Sequence, residues 1–397
     1  MLVGDGGLFS LAVVFFDPSI VLPVFVALFT SSPLLIGAPA AIRLAGLYLP
    51  QLPVAIGIRH LQHIKPFFFW QAAVGRAALG GCVVAALVAN AVPAEVVLTV
   101  LLVAWAVFSF TEGAATLAWL DLVGEVVHAR LRGRYFGVVG ALGGALAIAA
   151  GFVVSEAMAA DIAASTFARL FGWGCLAFLV SVVCIALVRE RRDNATPSLD
   201  EPPLSHIRSL VRGGHLLRVG TAQVLAGSLQ LALPFYVLFA RDNVGLSGEW
   251  LGTFIVAQTV GGSVSALAWA RIAEHHGARQ VVMLSTMLLI AIPALAMAAE
   301  RAFGGFLLLL VFFLAGAARG GSMAGFWQYI LDLVASPDRR LFMGLANTAN
   351  APTLLMPVIG GVLLAWGGFM WLFAASLALG VLAVIASGLL PRTNTDL

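Results

Sequence analysis

Leu120-Asp121-Leu122-Val123 closes one long apolar stretch, and Leu331-Asp332-Leu333-Val334 closes another, 331 − 120 = 211 residues later. Arginines follow both, at Arg130, Arg132 and Arg134 and at Arg339 and Arg340. Each cluster leads into an aromatic-rich helix start that ends in Gly137 or Gly344. Arg59 and Arg271 also each end an apolar segment, at a spacing of 271 − 59 = 212. Two matches at nearly one offset, both at the same kind of polar boundary, indicate a duplicated half.

The solvent of this chain follows from its composition. Hydrophobic residues make up 61% and charged residues 10%, with a mean hydropathy of +1.01. A soluble domain carries about 25% charged residues, so lipid is the solvent here. A helix needs about 20 apolar residues to cross the hydrocarbon. Twelve such segments are expected, near 7–30, 33–58, 67–89, 96–120, 135–159, 167–189, 215–240, 250–272, 281–299, 305–331, 342–366 and 369–390. The domains are then a six-helix half over 1–189, a linker over 190–214 and a second six-helix half over 215–397. Within the linker, Leu204, Ile207, Leu210 and Val211 recur at helical spacing among His206, Arg208 and Arg212. That pattern reads as a short amphipathic helix on the membrane surface, or else as an early start to span 7.

Orientation follows from the 22 basic residues. Loops after even-numbered spans, the linker and the tail hold sixteen of them: Arg59, Lys65, Arg130, Arg132, Arg134, Arg189, Arg191, Arg192, Arg208, Arg212, Arg218, Arg271, Arg279, Arg339, Arg340 and Arg392. The opposite loops hold three, Arg169, Arg241 and Arg301, and the spans hold Arg43, Arg76 and Arg319. By the positive-inside rule both termini are cytoplasmic, in a multi-pass protein of the inner cell membrane. The first segment has no basic n-region and is soon followed by another span, so it reads as a span and not as a cleaved signal. Topology accounts for the net charge of +3, and no nucleic-acid partner is expected. Cys82, Cys175 and Cys184 all fall within spans and read as small packing residues.

Two six-helix halves, a polar linker and basic loops after spans 2 and 8 resemble the major facilitator superfamily. The loop signature of that family runs from a glycine to an aspartate four positions on, then a base, a second glycine and a closing pair of bases. Ala270-Arg271-Ile272-Ala273-Glu274-His275-His276-Gly277-Ala278-Arg279 keeps the acid, the second glycine and the final base. Ala270 replaces the first glycine, and His275 the first base. The loop after span 2, Arg59 to Pro66, keeps only the final base and a proline. Span 4 lacks the arginine often found there. Pro357-Val358-Ile359-Gly360-Gly361 in span 11 is closer to the family's antiporter pattern than span 5 is.

The resemblance implies secondary transport by alternating access, in which internal repeats rock against each other. It implies that span 5 meets span 8, that span 2 meets span 11, and that spans 1, 4, 7 and 10 line a central cavity. Gly137, Gly140, Gly143, Gly144 and Gly151 in span 5, with Gly261, Gly262, Ser263 and Ser265 in span 8, would form such a seam or serve ordinary membrane packing. Glu274, Gly277, Arg279, Asp121 and Asp332 are gating or structural candidates.

Charges inside spans carry the most information. Asp17, Arg43, Arg76, Glu112 and Arg319 would each cost about 2.5–3.5 kcal/mol if left at the bilayer centre. Together that is roughly 12–17 kcal/mol, more than a typical protein's stability. They have to pair or face water. In span 4, Trp105, Phe108, Ser109, Glu112, Thr116 and Trp119 recur every three or four residues as one polar-aromatic stripe. Span 10 offers Arg319, Ser322, Phe326 and Tyr329 with Trp327 and Gln328 nearby, span 7 Gln223 and Gln230, and span 11 Asn347 and Asn350. Asp17, Arg43, Glu112 and Arg319 are therefore candidates for substrate or coupling-ion contact, and Arg76 for a structural pairing. Asp17 also precedes Pro18 and could serve a local helix break.

Three intramembrane arginines against two clear acids leave one positive charge, and the stripes combine aromatic faces with amides. A small amphipathic organic solute is expected, anionic or zwitterionic before cationic, with proton coupling through Asp17 or Glu112 an option. The competing readings are an exporter of lipophilic cations, and a lipid-handling or receptor-like protein on the same scaffold. No enzyme is expected, because no catalytic constellation lies at membrane depth. No cofactor is expected either, since Lys65 sits outside any phosphate-binding loop. His60 and His63 lack further ligands for a metal. The lipid bilayer, a small-molecule solute and protons are the expected partners, and the chain is expected to act as a monomer. In a variant freed of its native cysteines, single cysteines at Ser198 and Ser247 are predicted to label from opposite sides of the membrane. Labelling from one side would overturn the topology.

Overall fold

Hydrocarbon offers no partners to backbone N–H and C=O groups, so a spanning segment has to satisfy them within itself as a helix. The computed structural model describes residues 1–58, 61, 63–127, 131–188, 214–301, 303–333 and 345–391, and the regular structure among them is helical. Span 1 is Leu2–Val14 and Val21–Ala27. Span 2 is Pro33–Tyr48 and Gln51–Gly57, and span 3 is Lys65–Ala78 and Gly80–Leu87. Spans 4, 5 and 6 are Ala94–Val126, Arg132–Ala160 and Ala164–Ala186. Span 7 comprises His215–Ala226, Leu229–Ala232 and Tyr236–Asp242. Spans 8, 9 and 10 are Trp250–His276, Ala278–Ala299 and Gly304–Leu333.

Spans 11 and 12 lie within Leu345–Gly388 and are separated at Gly368, whose φ of 70° breaks the helix. A side chain there would favour the helical region instead. Twelve spans result, as expected. One boundary differs in a way that matters: span 1 begins at Leu2, not near residue 7, and so brings Asp5 into the bundle.

Spans 1 and 7 break at matching places. In span 1 the N–H groups of Ser19 and Ile20 donate to Asp17 Oδ1 at 2.8 and 2.9 Å, which satisfies donors that the turn at Pro18 releases. The repeat offset carries position 17 to 17 + 211 = 228, and Ser228 lies between the first two helices of span 7. Packing repeats as well. Span 1 packs on 5 and 6, span 2 on 4, and span 3 on 4 and 6. In the second half, span 8 packs on 10 and span 9 on 10 and 12, while span 7 meets span 11 at Gly360 and span 12 through Phe239 and Phe373. Offset aromatic contacts fill the first half's core, with Phe16 and Phe171 stacked at 5.0 Å.

The halves meet along two seams, between spans 2 and 11 and between spans 5 and 8. With an even number of spans, both termini lie on one face of the bundle, here called the terminal face. Toward the opposite face, Gly252 sits against the Gly151 carbonyl and Ser155, so closely that a Cβ would collide with backbone. Gly361 makes a similar approach to Pro33. Toward the terminal face, neither Gly137 nor Gly140 of span 5 has a neighbour where a Cβ would stand. Spans 2 and 11 stay joined there by side chains: Asn347 Nδ2 donates to Gln51 Oε1 at 3.0 Å, and Asn350 Nδ2 to the Tyr48 hydroxyl at 3.1 Å. The small-residue stripes therefore split their work. Gly151 faces span 8, but Gly143 packs on Ser10 of span 1 and Gly261 on Phe313 of span 10.

After span 8, Gly277 turns the chain with φ 81°, and Arg279 Nη2 donates to the Gly388 carbonyl at 2.6 Å, tying span 9 to the end of span 12. Glu274 is exposed. Asp121 and Asp332 fall in the last turns of spans 4 and 10; the Asp121 side chain lies outside the described residues. So do Arg59, His60 and the amphipathic stretch 204–211. Replacing Gly252 by valine is expected to pry open the seam toward the opposite face. A cysteine at Ser155 should then react several-fold faster with an impermeant maleimide than it does without the valine. Unchanged reactivity would mean that the glycine contact does not hold the seam.

Candidate functional site

An arginine within lipid needs an anion, and Arg76 finds it at the start of span 1. Its Nη1 donates to Asp5 Oδ1 at 3.1 Å and to Ser181 Oγ at 2.9 Å, and the Ser181 hydroxyl donates in turn to Asp5 Oδ1. The guanidinium lies over Phe9 and Phe178 at 5.6 and 5.5 Å from the ring centres. Arg76 and Asp5 are 5% and 3% exposed, so the pair works without solvent screening. Spans 1, 3 and 6 are tied together by this cluster. On its other side Arg76 Nε stands 3.9 Å from Glu112 Oε2 on span 4, close enough for charge attraction and too far for a hydrogen bond. Glu112 Oε2 is buried without a hydrogen-bond partner.

Glu112 links this cluster to the seam. Arg43 on span 2 stacks its guanidinium 5.6 Å above Phe108, feels the charge of Glu112, and has a buried Nη1 without a hydrogen-bond partner. Arg319 lies at the middle of span 10, is exposed, and acts electrostatically on Asp17, Arg43 and Tyr48. All three of those residues belong to the first half. An exposed charge at this depth that faces the other half lies in a cleft between halves, because hydrocarbon would penalise it.

The other candidates divide between cleft and core. Trp105 and Phe108 are buried, and the Trp105 indole N–H donates to the Pro39 carbonyl at 2.8 Å, which fastens span 4 to span 2. In span 10 the exposed face is Arg319, Met323, Ala324, Trp327 and Gln328. Phe326 and Tyr329 turn instead into a core cluster with Val282 and Ile330, so the expected Arg319–Ser322–Phe326–Tyr329 face is not the exposed one. Helical geometry explains this: 319, 323 and 327 follow one another at four-residue steps on one side. Gln223 is buried with Oε1 unpartnered, Gln230 is half-buried, and Asn347 and Asn350 hold the seam.

Asp5, Ser181, Tyr48 and Gln51 were not anticipated from the sequence. Asp5 sits among Gly4, Gly6 and Gly7, before the expected start of span 1 near residue 7. The signal for it was Arg76, an arginine whose own depth required an acid. Asp5 also corrects the charge count: three intramembrane acids stand against three arginines, and no surplus positive charge remains.

Residues 220–397 match the sequence model of the Major Facilitator Superfamily. Along its whole length the fold is that of solved transporters at low sequence identity. A D-xylose-proton symporter is 15% identical with a TM-score of 0.77, over 99% of this chain and 98% of the symporter. A variant of the nucleoside transporter NupG is 15% identical, TM-score 0.73, over 99% and 100%. A bacterial homologue of the iron transporter ferroportin, inward-facing, is 15% identical, TM-score 0.72, over 97% and 96%. No curated protein matches the chain by sequence.

Replacing Arg76 by glutamine leaves Asp5 buried without its cation. Breaking such a pair costs about 3–5 kcal/mol, and a clear drop in the unfolding midpoint of the purified protein is expected. The double variant Asp5→Asn, Arg76→Met should recover part of that loss. Wild-type stability in Arg76→Gln would show that the pair does not hold spans 1, 3 and 6 together.

Proposed function

We propose that the chain is a membrane transporter of the major facilitator superfamily and that it moves a small amphipathic organic solute by alternating access; the match over residues 220–397 and the fold support this reading. One observation carries the reading. Arg319 is exposed at mid-span and within electrostatic reach of Asp17, Arg43 and Tyr48 across the seam. A binding site at the midplane between halves is where a rocking-bundle transporter holds its cargo. Trp327 and Gln328 on the same side of span 10 supply an aromatic face and an amide, which suits a partly apolar solute with polar handles. Glu112, buried and beside two arginines, is the group placed to couple a proton to that movement.

The seams support the rocking. Backbone contacts hold the opposite face, while Gly137 and Gly140 of span 5 have open space beside them toward the terminal face. In this reading the terminal face is cytoplasmic, the cleft opens inward, the linker 190–214 joins the halves on that side, and one copy suffices. The basic residues of loops after even-numbered spans favour that orientation.

Spin labels can test the motion without knowledge of the solute. One pair, at Arg134 and Glu274, reports spans 5 and 8 at the terminal face, and a second, at Ala159 and Ser247, reports the opposite face. Each pair is expected to populate two distances, one lengthening as the other shortens when conditions shift the balance. A single fixed distance at both faces would refute alternating access.

A further inference from the structure

Arg43 of span 2 and Arg319 of span 10 lie within electrostatic reach of each other across the seam, and among the described residues neither forms an ion pair with an acid. Arg43 Nη1 is buried without a hydrogen-bond partner, and the guanidinium lies over the Phe108 ring. Of the acids nearby, Asp17 gives Oδ1 to the backbone N–H groups of Ser19 and Ile20. Asp5 is taken by Arg76 and Ser181. Glu112 lies between Arg76 and Arg43 and has an unpartnered Oε2. Like charges drawn together in a site of low dielectric cost free energy unless an anion joins them. A guanidinium presents a planar fork that matches a carboxylate.

We infer that Arg43 and Arg319 bind the carboxylate of a small organic anion between the halves, and that a proton on Glu112 frees Arg43 to do so. The inference rests on the transporter reading above. Charge conservation gives it its logic. Asp5, Asp17 and Glu112 balance Arg43, Arg76 and Arg319 when all are ionised. A proton taken from water by Glu112 leaves one positive charge, and a monoanion cancels it. The loaded cleft is then neutral, as is the empty cleft with Glu112 ionised, so neither carries a net charge past the lipid. When the anion leaves on the other side, Glu112 returns its proton to water there. The groups facing Glu112 are Arg76 of span 3, Arg43 of span 2 and Asp5 of span 1; those facing Arg319 are Asp17, Arg43 and Tyr48. None of these neighbours is a histidine, which leaves a carboxylate as the titrating group.

Benzoate serves as the probe and tetraphenylphosphonium as its cationic counterpart, with binding to the purified full chain followed by calorimetry. Benzoate is expected to bind, more tightly as the solution goes from neutral to mildly acidic, and tetraphenylphosphonium is expected not to displace it. Arg43→Gln and Arg319→Gln should each weaken benzoate by about tenfold or more, while Arg43→Lys and Arg319→Lys, which keep the charge, retain part of the affinity. Glu112→Gln should bind benzoate at neutral pH as tightly as the unmodified protein does in acid, with no remaining pH dependence. Benzoate affinity unchanged in both glutamine variants, no benzoate binding, or displacement by tetraphenylphosphonium would overturn the anion site. Persistent pH dependence in Glu112→Gln would overturn the proton step. If the spin-label distances alternate and benzoate does not bind, the solute class falls and the transporter reading stands.

Discussion

A guanidinium cannot stay alone in hydrocarbon, and the position of Arg76 on span 3 sets much of what surrounds it. The arginine draws Asp5 of span 1 and Ser181 of span 6 to one side and Glu112 of span 4 to the other. Phe9 and Phe178 close over its faces. Four of the first half's six spans thus converge on one cation. Because the cluster is nearly closed to solvent, it acts at the strength of a low-dielectric interior. The same closure makes Glu112 sensitive to what happens at Arg43, one charge further toward the cleft.

The seams between halves use different chemistry at their two ends. Backbone against backbone, through Gly252 and Gly151, excludes even a methyl group and leaves no room for partial opening. Amide side chains, Asn347 with Gln51 and Asn350 with Tyr48, bridge the other end of the second seam and can release by rotamer changes.

Helix breaks in spans 1 and 7 add to this arrangement. Asp17 binds its own backbone at the first break while still lying within the field of Arg319. One carboxylate thereby stabilises an irregular turn and contributes to the electrostatics of the cleft. Irregular backbone at membrane depth is tolerated where it lies against protein or a cavity. Pro18 marks the first break in the sequence, and Pro234 marks a further one in span 7, between Ala232 and Tyr236.

Composition and apolar run lengths determined the solvent and the number of spans, because each is a local property that needs no partner to be read. The 211-residue offset joining Asp121 to Asp332 also carries position 17 to 228, where the structure shows the matching break. Charges at membrane depth identified Arg43, Arg76, Glu112 and Arg319 as residues that had to pair or meet water. Which of these they do was decided only by tertiary structure. Asp5 lies before the expected start of span 1, and only the fold brings Arg76 of span 3 to it; the stripe through Trp105 and Phe108 turns into the core because span 2 covers it. Of the four residues expected on one face of span 10, Arg319 is exposed while Phe326 and Tyr329 are buried, since a helix fixes which side chains share a face but not how the helix rotates against its neighbours. Rotation and pairing are set by contacts between segments far apart in the chain, and no local pattern encodes them.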